Sequence, residues 1–202
     1  MPKTTFLNLP EEKRERLVEI FKETVLKKSI AKQTVTDFVK ASKIPRGSFY
    51  QYFDDLNDLY EYIFTHTIEG YQVYALSRLN TRDMPFFEYM DRIFLLDINY
   101  LQENNHYKIL RKFLTHSTLS GMATQRMEEK RKAFASKVLS QLDTMSLEKT
   151  MTIEDIEELY VVISSIKVQY TQKVLRGVLD TEEAYHKYLK MLDIIRRGVK
   201  ES

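Results

Sequence analysis

An all-α chain of about nine helices is expected here, on three grounds. Apolar residues recur at i, i+3, i+4 spacing in one run after another. Most of those runs open on a capping signal and close on a polar break. No stretch shows the two-residue alternation of a strand, an internal repeat or a low-complexity tract. The 202 residues allow one large or two small domains, and 43% hydrophobic content is enough for real cores. The pattern suggests a three-helix head over residues 1–53 and a larger helical bundle over 54–202.

Each element follows from its own signals. Asn8-Leu9-Pro10-Glu11 reads as a capping box opening a helix to about Lys28, with Leu17, Phe21, Thr24 and Val25 as its apolar stripe. Residues 1–7 read as a loose arm. Thr34 with Asp37 caps a second helix, on which Val35, Phe38 and Val39 share a face, and Ser42-Lys43-Ile44-Pro45 ends it. Pro45 starts a third helix with Arg46, Gly47 and Ser48 in its first turn, and Phe49 and Phe53, four apart, anchor it to a core. Arg46, Ser48, Tyr50, Gln51 and Tyr52 are then free to point elsewhere, and such side chains hydrogen-bond phosphates and base edges. Helix, short turn, helix is the arrangement whose second helix enters the DNA major groove.

Bulk charge does not decide the matter, because a net charge of +2 is near zero. Its distribution is more telling. Lys22, Lys27, Lys28, Lys32, Lys40, Lys43 and Arg46 face only Glu23 and Asp37 between Lys22 and Phe53. The absence of cysteine removes disulfide frameworks and thiolate metal sites and fits a reducing compartment. No run approaches the roughly 18 apolar residues of a membrane span, and the N-terminus lacks a signal-peptide core. The expectation is a soluble, cytoplasmic protein.

At the second and third helices the sequence resembles the TetR family of bacterial transcriptional regulators. The resemblance rests on an aliphatic-rich first helix, Thr34-x-x-Asp37-Phe38-Val39, the run Ile44-Pro45-Arg46-Gly47-Ser48-Phe49-Tyr50-Gln51-Tyr52-Phe53, and Asp58-Leu59 opening the next helix. It covers roughly the first sixty residues. Three positions differ from the family pattern: Ser29 and Lys43 stand where glycine is usual, and Leu56 stands where a phosphate-binding lysine is frequent. A left-handed turn at a non-glycine residue costs roughly 1 kcal/mol. The resemblance implies a DNA-binding set of Thr34, Thr36, Lys43, Pro45, Arg46, Gly47, Ser48, Tyr50, Gln51 and Tyr52. Within it Arg46, Ser48 and Gln51 reach base edges, while Thr34, Thr36, Lys43, Tyr50 and Tyr52 hold phosphates. It also implies a homodimer on a palindromic operator, a repressor released by a small apolar or amphipathic effector.

Downstream, Asp54, Asp55 and Asp58 open a helix that reaches about Leu79, which the resemblance makes the connecting helix. Asp83 and Pro85 start a helix to about Gln102 that is apolar on nearly every side. Shorter and longer helices follow over 106–116 and 122–142. Then come DTMSLEKTM as a loop, a helix from Thr152 to Gly177 and a last one from Asp180 to about Val199. Aromatic and methionine content suits an adaptable pocket, with Tyr71, Phe87, Met90, Phe94, Arg111 and Met122 as candidate ligand contacts, although core packing explains the apolar ones equally well. Arg92, Asp97 and Arg111 are charges within apolar helices that orient a ligand, pair with one another or face water. The last two helices carry more apolar surface than one chain needs. Tyr160, Ile163, Tyr170, Val174, Tyr188, Leu192 and Ile195 are the candidate dimer contacts.

Catalysis is not expected. His66, His106, His116 and His186 lack metal spacing, no HExxH, GxSxG, P-loop or GxGxxG occurs, and no cofactor or metal is implied. Adjacent acids such as Glu157-Glu158 point apart on a helix. A competing reading from another class is a protein-interaction module that keeps the regulator fold, hinted at by Leu56.

Overall fold

The computed structural model describes residues 2–103, 105–114 and 125–200. Among them are ten α-helices: α1 (Thr4–Leu7), α2 (Glu11–Lys27), α3 (Val35–Ser42), α4 (Arg46–Tyr52), α5 (Leu56–Arg78), α6 (Phe86–Glu103), α7 (Asn105–Leu114), α8 (Gln125–Leu139), α9 (Ile153–Leu175) and α10 (Thr181–Lys200). The all-α expectation holds with one small exception. Met84–Pro85 (β1) pairs in parallel with Leu142–Asp143 (β2), Met84 opposite Leu142. Two residues are too few to leave any alternation in the sequence. Pro85 thus precedes α6 rather than sitting in its first turn, and Asp83 takes a left-handed conformation (φ 55°).

The chain forms two compact units, Met1–Tyr71 with Asn105–Met122 and Gln72–Asn104 with Ala123–Ser202. The first is built on aromatic rings. Phe6, Phe21, Phe38, Phe49 and Phe53 are all fully buried, and Phe21 reaches Phe38 at 6.0 Å and Phe53 at 6.1 Å between centroids. One polar group crosses this core with every partner in place. Gln33 donates Nε2–H to the carbonyls of Val25 (2.8 Å) and Lys28 (2.7 Å) and accepts the Tyr60 hydroxyl at 2.9 Å. Lys112 of α7 donates to the carbonyls of Leu26 and Lys28 and so satisfies the C-terminal end of α2.

Three local expectations need correction here. Residues 4–7 are helical rather than loose, because Phe6 inserts among Tyr52, Phe53 and Tyr62. Pro10, not Asn8, is the N-cap of α2, and no side-chain cap bond forms there. Ser29 has φ −53°, ordinary for an L-residue, so only Lys43 (φ 55°, ψ 32°) pays the left-handed cost among the two positions that lack the family glycine.

The second unit packs α6 against α9 and α10. Phe94 meets Tyr188 at 4.2 Å, Tyr188 donates its hydroxyl to the Met90 carbonyl at 2.8 Å, and Tyr89 stacks with Tyr160 at 6.5 Å. Thr152 and Asp155 form a full capping box at the start of α9, each accepting the other's backbone N–H. Gly177, at φ 70°, ends the same helix, and its N–H and that of Val178 return to the carbonyls of Val174 and Lys173 at 2.9 Å.

Candidate nucleic-acid interface

The Asp37 carboxylate fixes the start of α3. A single oxygen accepts the Thr34 N–H (2.7 Å) and the Thr34 hydroxyl (2.9 Å) and lies 2.6 Å from Lys28 Nζ. The Lys28 hydrogen bond, followed by the Thr34 backbone bond, holds the carboxyl down at about 2. At the other end Ser42 donates its hydroxyl to the Phe38 carbonyl at 2.6 Å. Lys43 then turns the chain and Pro45 caps α4.

Burial of Phe49 and Phe53 sets the rotation of α4. Arg46, Gly47, Tyr50 and Gln51 are exposed, Ser48 is half-buried, and Tyr52 is buried against Phe6. Arg46 ties the two helices together, since Nη1 donates to the Thr36 hydroxyl at 3.3 Å and Nη2 to the Tyr50 hydroxyl at 3.1 Å. Its guanidinium also lies 5.6 Å from the Tyr50 ring centroid. Thr34, Thr36, Lys43, Arg46 and Tyr50 are therefore all exposed on two adjoining helices and their turn. A Cβ on Gly47 would meet nothing within 4 Å, so packing inside the chain does not demand glycine there. That leaves the backbone at the start of α4 open to close approach.

The cationic surface is narrower than the run of lysines suggests. Lys22 is only 5% exposed and pairs with Glu19 at 2.7 Å. Lys28 is held by Asp37. Lys27, Lys32, Lys40 and Lys43 remain exposed. Leu56 packs against the core of the first unit.

The other candidate residues are dispersed. In the second unit Met90 and Phe94 are fully buried, Phe87 is half-buried beneath the Arg196 guanidinium at 5.1 Å, and in the first unit Tyr71 is half-buried and Arg111 exposed. Met122 lies outside the described residues. Tyr160, Ile163, Tyr188 and Leu192 belong to the interior of the second unit, whereas Tyr170, Val174 and Ile195 are half-buried on its surface. Of the charges in apolar helices, Arg92 pairs with Glu88 at 2.7 Å at the surface. Asp97 pairs with Lys167 at 2.6 Å in the interior, a partner 70 residues away that no local pattern announces. The charge and hydrogen bond of Asp97 raise the Lys167 pKa against the effect of burial, while burial, opposed in part by Lys167, pushes the Asp97 carboxyl up. Sequence reasoning also missed Lys3 and Thr5, which contact α4 from α1 and the residue before it.

Two helices meeting at a left-handed turn, the second exposing its N-terminal turn on an aromatic-anchored scaffold, define an all-α helix-turn-helix protein. Comparison with solved structures narrows the fold further. A TetR-family transcriptional regulator from Rhodococcus sp. superposes with a TM-score of 0.66 at 14% identity, over 91% of this chain and 98% of that one. A second, from Marinobacter aquaeolei VT8, gives 0.57 at 14% identity over 91% and 95%. A TetR-like regulator from Rhodococcus sp. RHA1 gives 0.54 at 12% identity over 96% and 100%. No family model matches the chain, and no curated protein does. The chain has the TetR-like fold.

Proposed function

We propose that this protein is a DNA-binding transcriptional regulator: a cytoplasmic homodimer, with residues 1–53 as its DNA-reading head and 54–202 as the effector and dimerisation domain. The observation that carries the reading is the exposed Thr36–Arg46–Tyr50 cluster beside the open N-terminus of α4. Arg46, Ser48 and Gln51 read base edges, and Thr34, Thr36, Lys43 and Tyr50 hold phosphates. Pro45 and Gly47 shape the approach. Tyr52 contributes its ring to the core and its backbone to the helix. In the free protein Arg46 is held by hydroxyls, which are weaker partners than a guanine edge, so it is preorganised and exchangeable.

A repressor released by a small amphipathic molecule is supported by the interior of the second unit. There the Asp97 Oδ1 is buried with no hydrogen-bond partner among the described residues, in an interior rich in tyrosine. Such an acceptor suits a ligand with a donor and an apolar body. A ligand acts by favouring one conformation over another, and only by as much as its affinities for the two differ.

The test is binding to DNA upstream of the protein's own gene across a salt series. Saturable binding tighter than to scrambled DNA, with log K falling steeply against log salt, is expected. Arg46→Ala should cost about 1 to 3 kcal/mol and relax preference at one base pair, while Tyr50→Phe should weaken all sequences alike. Equal binding of wild type and Arg46→Ala to both DNAs would remove Arg46 from its role. Weak binding with no sequence preference, together with a co-purifying protein partner, would favour the interaction-module reading.

A further inference from the structure

A helix leaves its last four carbonyls without intrahelical donors. In α4 these belong to Phe49, Tyr50, Gln51 and Tyr52. The Phe53 N–H takes the first at 2.9 Å. The other three are all taken by the two residues Lys3 and Thr5. Lys3 Nζ donates to the Tyr50 carbonyl at 2.9 Å, the Thr5 hydroxyl to the Gln51 carbonyl, and the Lys3 backbone N–H to the Tyr52 carbonyl at 2.7 Å. The Lys3 ammonium also lies 2.6 Å from the Asp54 carboxylate, at the helix end where a cation is electrostatically favoured.

This arm is itself anchored. The Phe6 ring sits 5.4 Å from Tyr52, 4.9 Å from Phe53 and 5.3 Å from Tyr62. Arg14 of α2 donates to the Leu7 carbonyl at 3.1 Å. By contrast α4 has seven residues, too few for a helix to persist by its own hydrogen bonds. Its N-terminal end carries the proposed DNA contacts, so its C-terminal end is where the scaffold must hold it.

We propose that Lys3 and Thr5, seated by Phe6, are positioning residues for DNA recognition: a clamp that completes the C-terminal hydrogen bonds of α4 and so fixes the pose of Arg46, Ser48 and Gln51 without touching DNA. The proposal rests on the regulator reading above for its consequence, but the clamp itself is a property of the free protein. It differs in kind from an arm that reaches DNA, because the Lys3 ammonium is committed to Tyr50 and Asp54.

The test uses Lys3→Met with Thr5→Val in the full-length chain, and Thr5→Ser as the conservative control; all three keep Phe6 and so leave the core intact. Three quantities are measured: amide hydrogen exchange over residues 46–53, the thermal midpoint, and affinity for operator and scrambled DNA across a salt series. In the double variant, exchange over 46–53 is expected to accelerate about tenfold or more while α9 is unchanged. Operator affinity should fall about tenfold, scrambled DNA should lose less, and the salt slope should be unaltered. Thr5→Ser should behave as wild type. Unchanged exchange over 46–53 would overturn the clamp. So would equal losses on both DNAs with a salt slope lower by about one, which would make Lys3 a phosphate ligand. If the wild type binds no DNA, the regulator reading fails, and the exchange data still decide whether the clamp exists.

Discussion

Lys43, at φ 55° and ψ 32°, occupies the turn between α3 and α4 in a conformation that an L-residue adopts at a cost of about 1 kcal/mol. Lys43→Gly should therefore leave the free energy of unfolding unchanged or raise it by up to about 0.5 kcal/mol, because glycine's extra freedom in the unfolded chain offsets most of the relief. The same change removes an exposed ammonium and should weaken binding to any DNA sequence alike. A urea titration showing a loss of about 0.5 to 1 kcal/mol would mean that the turn is unstrained. Asp37 offers a second residue-scale test. Its folded pKa, about 2, lies below its ordinary 3.8, so its contribution to stability is present above about pH 4 and is lost as pH falls toward 2. Asp37→Asn should be less stable at neutral pH and show a flatter stability profile over that window. A wild-type profile already flat there would remove the Lys28–Asp37 pair from the account. The Thr34–Asp37 spacing was legible in the sequence; the third partner, Lys28, comes from the end of the preceding helix and was not.

At the scale of elements, the helix pair was legible because its signals are local: a capping pair, Pro45, and two phenylalanines four residues apart. α1 was not, because two adjacent apolar residues, Phe6 and Leu7, make no period in a four-residue helix, and the rings that Phe6 packs against lie more than 40 residues away. The bridge between β1 and β2 failed for the same reason. Asp97 illustrates the limit most clearly: a carboxylate on an apolar helix is visible in the sequence, but its partner in α9 is not. The Asp97–Lys167 pair joins α6 to α9 in the interior of the second unit, with side chains 11% and 15% exposed. Removing one member leaves the other charge buried and alone. Asp97→Ala should destabilise the protein by about 3 to 5 kcal/mol, whereas Asp97→Leu with Lys167→Met should recover most of that loss. Equal unfolding midpoints for the single and double variants would show that packing, not charge, governs the site. The Asp97 side chain is also the proposed effector contact, so the double variant should fold yet fail to respond to an amphipathic ligand.

For the whole molecule, periodicity shows which face of a helix is apolar but not what covers it. The apolar surplus of α9 and α10 suggested a partner chain, yet Tyr160, Ile163, Tyr188 and Leu192 are covered by their own chain. Exposed apolar residues on these two helices include Val161 and Val162 of α9 and Ile194 of α10, and Val162 continues at four-residue spacing into the half-buried Ile166, Tyr170 and Val174, with half-buried Ile195 beside Ile194. Val162 is 50% exposed and Ile194 46%. Rows at this spacing are the ridges by which helices interdigitate, and a second copy packed on them would cover the exposed valine and isoleucine. The proposed dimer therefore uses this ridge rather than the residues with the highest apolar weight. Val162→Glu with Ile194→Glu should turn a dimer into a folded monomer in sedimentation equilibrium, since each change places a charge in the contact while sparing the interior. A monomer carries one head, so it should lose the avidity of two linked sites, a factor of about 10²–10⁴ on a palindromic operator, while binding to an isolated half-site stays as in the wild type. A double variant that remains dimeric would place the interface elsewhere. One that is monomeric with undiminished operator affinity would break the link between dimerisation and recognition on which the regulator reading depends.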